Sequence, residues 1–142
     1  MFWWVELHAL CHATEEEGRV EEAVRFLGGR GEVKAQGAQG FHGNPIRFLV
    51  LRLEREPEKA AFWDRVATPE NVASWRRELA ERLDEDGVLH LRFDKQEAYA
   101  QRVAAATHAD AIDVRVKVKA FPAKREVALA ALDQELVRRG AD

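Results

Sequence analysis

The segment "VRVKVKAFPAKRE", residues 114–126, alternates valine with arginine and lysine and then adds a second basic pair after a proline. On a strand, side chains two residues apart share a face at a spacing of roughly 6.6 Å. Arg115, Lys117 and Lys119 would then form a row of cations able to follow a phosphate backbone. Lys124 and Arg125 would prolong that row into the first turn of a helix, where unbonded backbone N–H groups favour an anion. The same pattern also serves as the solvated face of an ordinary strand. His90, Arg92 and Trp4 fall on the same face by the alternation in their own segments. That sets aromatic and histidine side chains beside the cations, the combination with which sheets hold single-stranded RNA. Trp4 would serve a core equally well.

Two further clusters carry chemistry. In "GFHGNP", Phe41 and His42 are flanked by glycines that let backbone approach a ligand, and Asn44 before Pro45 initiates a turn. A tight connection between strands uses the same residues. In "HALCH", His8, Cys11 and His12 are three soft or borderline ligands, but H-x-x-C-H is not a zinc spacing and no fourth ligand stands nearby. No glycine-rich phosphate loop, nucleophile elbow or H-E-x-x-H pattern occurs, and Asp84, Glu85 and Asp86 read as a solvated acidic turn. No catalytic residue, metal or cofactor is expected.

The elements that must position these residues follow from periodicity. Residues 2–10 alternate as a strand, with Trp3, Val5, Leu7 and Ala9 on one face and Phe2, Trp4, Glu6, His8 and Leu10 on the other. Thr14 and Glu17 have the spacing of a capping box ahead of a helix bearing Val20, Ala23, Val24 and Leu27. "EVKAQ" is a weaker strand, and "IRFLVLRLE" is apolar on both faces and hence central. A helix begins near Pro57, and another is capped by Thr68 with Pro69 at its first position. "VLHLRF" is a strand with His90 and Arg92 outward. Asp94 with Glu97 should cap a helix carrying Tyr99, Val103 and Ala106. "AIDVRVKVKAF" is the clearest strand, and Pro122 opens a last helix with Leu129, Leu132 and Leu136. The order is β-α-β-β-α-α-β-α-β-α. This is an α+β fold, one domain with a five-stranded mixed sheet and helices mainly on one face. The open face would collect Trp4, Glu6, His8, His90, Arg92, Arg115, Lys117 and Lys119.

Composition bounds the function. A chain of 142 residues, 46% hydrophobic and 33% charged, is the size of one globular domain. A formal net charge of −3 excludes coating of nucleic acid by bulk electrostatics, so any such contact is a local patch. The single cysteine forms no internal disulfide, and no apolar run reaches membrane-spanning length. A cytoplasmic protein with no membrane partner is expected.

"CHATEEE", "GFHGNPI", "LRFDKQEAY" and "VRVKVKAFPAKRE" together resemble an archaeal family of small predicted RNA-binding proteins, exosome-subunit-like, with a fold similar to the ribosomal protein that carries 5S RNA. The four segments span residues 11–126 in order. The resemblance implies that Asn44, then Asp94, Lys95 and Gln96, then Arg115, Lys117, Lys119, Lys124 and Arg125 matter for binding. The expected function is a non-catalytic RNA-binding module in RNA processing or on the ribosome, in which exosome or ribosomal proteins are partners. Lysine and arginine would hold phosphates, while Trp4, Phe41 or a histidine would stack on a base. The alternative is a protein-interaction or homodimerisation module that uses the same face.

Overall fold

A computed structural model describes residues 1–39 and 45–141. Its elements are β1 (Phe2–Cys11), α1 (Glu17–Gly28), β2 (Glu32–Gln39), β3 (Pro45–Leu53), α2 (Glu56–Val66), α3 (Pro69–Arg77), α4 (Leu79–Arg82), β4 (Val88–Asp94), α5 (Lys95–Tyr99), β5 (Ala111–Val118) and α6 (Arg125–Arg138). The order matches the expected one with a short extra helix, α4. The strands form one sheet in the order β2-β3-β1-β5-β4. Every neighbouring pair is antiparallel, so the sheet is not mixed. The one crossover that returns the chain in the same direction, β1-α1-β2, skips a position that β3 fills, so β1 and β2 run parallel without being neighbours. The segment after β4 instead turns back on itself: the Asp94 N–H donates to the Ala104 carbonyl, the Ala106 N–H to the Arg92 carbonyl, and Phe93 bridges Ala105.

That return corrects the helix expected through Ala106. The Asp94 carboxylate does cap α5, accepting from the Glu97 N–H at 2.9 Å, but α5 stops at Tyr99 and Gln101 adopts a φ of 59°. Helix propensity of the alanines loses to pairing along the edge of β4, which also shields that edge. Thr68 caps α3 as expected, accepting from the Asn71 N–H at 3.2 Å. Thr14 does not cap α1, which starts at Glu17. The last helix starts at Arg125, not Pro122; Pro122 follows a cis peptide bond in the turn before it.

The helices cover one face of the sheet. Val5, Leu7, Ala9 and Cys11 of β1, Leu49, Leu51 and Leu53 of β3, Leu89, Leu91 and Phe93 of β4 and Ile112, Val114, Val116 and Val118 of β5 join the helices in one core. Trp63 stacks on Trp75 with ring centres 5.5 Å apart and meets Phe2 edge-on at 4.8 Å. β3 is interior in its pairing but is not apolar-covered on both sides, since Phe48 stands exposed on the other face. β1 departs from strict alternation. A register shift between Phe2 and Trp4 turns Phe2 into the core and Trp3 out to solvent, the reverse of the expected assignment.

Two lysines lie inside this layer. Lys95, at 0% exposure, donates to the Leu10 carbonyl at 3.1 Å, to Glu15 at 2.9 Å and to Asp110 at 3.0 Å. Its pull on Glu15, together with the Tyr99 hydroxyl at 3.1 Å, explains why α1 starts late: the turn at 12–15 is folded toward Lys95, and Glu15 also accepts from the His12 N–H. Lys59, at 4% exposure, donates to the carbonyls of Phe2 and Trp3 at 2.8 and 3.1 Å and to Glu56 at 2.7 Å. Buried ammonium groups persist only when paired and fully hydrogen-bonded.

Partial burial raises the Glu15 carboxyl pKa, but hydrogen bonds from Lys95 and the His12 backbone outweigh it and leave it below its ordinary 4.5. A carboxyl lowered on folding stabilises above its unfolded value, and that contribution disappears as pH falls through the lowered one. Lys95→Met should therefore destabilise by about 3 kcal/mol near neutral pH, the scale of breaking a buried ion pair. Urea denaturation at several pH values checks this, and the difference from the parent should shrink below pH 4.5.

Candidate nucleic-acid interface

The open face is not the uniform cationic ruler that β5 alone implies. Cross-strand register places Arg115 between Glu6 of β1 and His90 of β4, Asp113 between His8 and Arg92, and Lys117 between Trp4 and Val88. Charges of opposite sign therefore face each other over most of the sheet. Arg52 on β3 pairs with both Glu6 and Glu54. Partial burial raises the Glu6 pKa, but the hydrogen bonds from Arg52 and His8 outweigh it and hold that carboxyl below the usual range.

Several expected binding residues are engaged within the protein. Trp4 is half-buried beneath the Arg52 guanidinium, 4.8 Å from its ring centre. Arg92 donates to Asp113 at 3.0 Å and to the carbonyls of His108 and Ala109. His90 lies 2.8 Å from Asp84. Burial raises the Asp84 pKa, but His90 and the backbone N–H groups of Val88 and Asp86 outweigh it and hold it low. Lys95 is sealed in the core, which removes it from any contact with RNA, and Gln96 sits beside Arg19 and Tyr99 at the α1–α5 contact, apart from the β5 row. Phe41, His42 and Asn44 lie outside the described residues.

The histidines and cysteine of "HALCH" do not converge. His8 points to the open face beside Glu6, whereas the Cys11 thiol is buried on the helix side near the carbonyls of His12 and Glu15. His12, Glu15 and Asp110 do place ligand atoms within 4.8 Å of one another, but the cation between the two carboxylates is the Lys95 ammonium.

The remaining basic residues meet at one corner, where β5 ends, the 119–124 turn follows and α6 begins. A depression of about 170 Å³ there is lined by Trp3, Gly87, Lys117, Lys124 and Arg125, with Glu85 and Asp86 on its rim. Lys117 donates to the Asp86 carbonyl, and Arg125 donates to the carbonyls of Leu83 and Ala80, so both are positioned by neutral acceptors and keep their charge. Lys124 and Arg115 are exposed and have no ion pair among the described residues. Lys119 lies 3.3 Å from Glu56 and places its ammonium 4.8 Å from the Trp3 ring centre. Phe121, 77% exposed, meets Trp3, 47% exposed, edge-on at 5.9 Å.

Trp3 and Phe121 are the members that sequence reasoning missed. The adjacent pair Trp3-Trp4 was the available signal, since neighbours on a strand point to opposite faces and both rings cannot enter one core. Neither ring is in the core: Trp4 lies on the open face, and the bulge, with Lys59 on the Phe2 and Trp3 carbonyls, gives the core position to Phe2 and sends Trp3 out.

A family described as RNA binding matches residues 4–118, from Trp4 to the end of β5. The chain belongs to this RNA-binding family. It is 30% identical to an RNA-binding protein of Pyrococcus abyssi over 93% of this chain and 92% of that one. It is also 28% identical to an uncharacterized protein of Methanocaldococcus jannaschii, over 86% of this chain and 88% of that one. The solved structure of a DUF54 protein from Methanothermobacter thermautotrophicus superimposes with a TM-score of 0.85 at 36% identity, covering 96% of this chain and 98% of that one. The fold is thus shared with archaeal relatives.

Lys59→Met should keep the aliphatic packing but strip two carbonyls of their donor. In a ¹H–¹⁵N spectrum the Trp3 indole signal should shift and broaden while that of Trp75 stays in place.

Proposed function

We propose that this chain is a non-catalytic RNA-binding protein, serving in RNA processing of the exosome type or on the ribosome. It holds the RNA backbone at the corner between β5 and α6. The observation that carries this reading is the gathering of Lys117, Lys119, Lys124 and Arg125 where β5 ends and α6 begins, with exposed Arg115 one alternate position back along β5, in a protein whose net charge is −3. Phosphate contacts of this kind set affinity and register without reading sequence. The membership of an RNA-binding family supports the same ligand. The rest of the open face, with its paired charges, contributes shape rather than attraction. The rim carboxylates Glu85 and Asp86 limit affinity and favour RNA that approaches from the α6 side.

Arg115→Glu combined with Lys124→Glu leaves every ion pair among the described residues intact. In fluorescence anisotropy with labelled RNA, this variant should bind at least about tenfold more weakly. With a single-stranded RNA, its log–log salt slope should fall by about 0.7 for each phosphate that the variant no longer neutralises. Unchanged affinity would overturn the reading. Glu85→Gln with Asp86→Asn should act in the opposite direction and tighten binding several-fold in the same assay.

A further inference from the structure

We propose that the corner selects an unpaired nucleotide, whose base stacks on Phe121 beside Trp3 while Lys119 and Lys124 take the adjoining phosphates. The ligand is then single-stranded RNA, or an unpaired position in a structured one, and not a continuous duplex. This rests on the RNA-binding reading and adds to it the class of RNA.

The argument begins with exposure. Phe121 is the most exposed of the large hydrophobic side chains described, at 77%, and it stands in the turn between β5 and α6. The ring is held all the same: it meets Trp3 at an interplanar angle of 79°. Trp3 is itself fixed by the Lys59 hydrogen bonds to its carbonyl and that of Phe2, and by the Lys119 ammonium over its ring. A supported aromatic ring that remains open to solvent is the form of a stacking platform, because it needs no ordering when the base arrives.

Charge is placed to match. Lys119 lies over Trp3, the ring that Phe121 meets, and Trp3 lines one depression together with Lys117, Lys124 and Arg125. In a continuous A-form helix both faces of a base are covered by its neighbours, and the major groove is too narrow for side chains to enter. Away from duplex ends, Phe121 can stack only on a base that has left such a helix or was never in one. On the remainder of the open face, the tryptophan expected to stack, Trp4, is already covered by Arg52.

Three labelled RNAs separate the alternatives in anisotropy titrations: a 12-nucleotide single strand, a blunt duplex and the same duplex with one bulged nucleotide. The parent protein should bind the single strand and the bulged duplex more tightly than the blunt one. Phe121→Ala should weaken binding to the first two on the order of tenfold or more, the usual effect of losing one base–aromatic stack. Binding to the blunt duplex and the salt slope should not change, since no charge is removed. Phe121→Trp should restore the preference, and an unaltered thermal melt shows that the variants fold. Equal affinity of the parent for all three RNAs, or a Phe121→Ala variant that retains the preference, would overturn the inference. In that case the weaker binding caused by Arg115→Glu with Lys124→Glu still upholds RNA binding as such. If the parent binds none of the three, the RNA-binding reading falls and this inference with it.

Discussion

One layer of helices covers one face of a five-stranded antiparallel sheet, and most of the molecule follows from that one-sided burial. Every strand except edge strand β2 sends its apolar row into the core, so its alternate residues must be acceptable to water. The open face is built from what is left over: Glu6, His8, Arg52, His90, Arg92, Asp113 and Arg115. The same constraint makes β1, the middle strand, the reference for the rest. Its neighbours β3 and β5 run against it on either side, and the two buried lysines both bind its carbonyls, Lys59 near its start and Lys95 at Leu10.

Those lysines couple stability to function. A buried ammonium is tolerated only with a full set of acceptors, and each finds backbone carbonyls of β1 plus carboxylates nearer the surface. Lys95 draws the 12–15 turn and the 110 region together below α5. Lys59 fixes the bulge that sends Phe2 inward to Trp63 and Trp3 outward to Phe121. Glu56 touches both Lys59 and Lys119, which ties the core lysine to one of the candidate phosphate ligands. The corner is thus anchored from inside the protein by Lys59 as well as by its own contacts, Lys119 over Trp3 and Trp3 against Phe121.

Electrostatics decides where on the open face an anion can lie. Cross-strand ion pairs neutralise much of the middle of the sheet, where Glu6 holds Arg52 and Asp113 holds Arg92, and leave Arg115 without one among the described residues. Beyond the last pairs of β5 the chain leaves the sheet, and its lysines no longer have acidic neighbours imposed by register. This is why the basic character of β5 is expressed at its end and not along its length. Gly87 and Asp86 contribute carbonyls to that end, and the acidic side chains of the same turn bound it.

Much of the architecture was legible in the chain itself, because periodicity reports which residues must be buried. The five strands, the inward rows of β4 and β5, the Thr68 and Asp94 caps and a single helix-covered face are all local patterns read correctly. The basic stretch at 115–125 was equally visible as a run of charge. What tertiary structure alone decided was pairing. Whether strands run parallel or antiparallel, whether residues 104–106 join a helix or the edge of β4, and whether Phe2 or Trp3 enters the core depend on groups distant in sequence. Lys95 reads as a surface cation until Leu10, Glu15 and Asp110 surround it, and Arg92 reads as available until Asp113 and the carbonyls of His108 and Ala109 engage it. A charge is identified by sequence, but its energy depends on its neighbours in space, and only the fold supplies those.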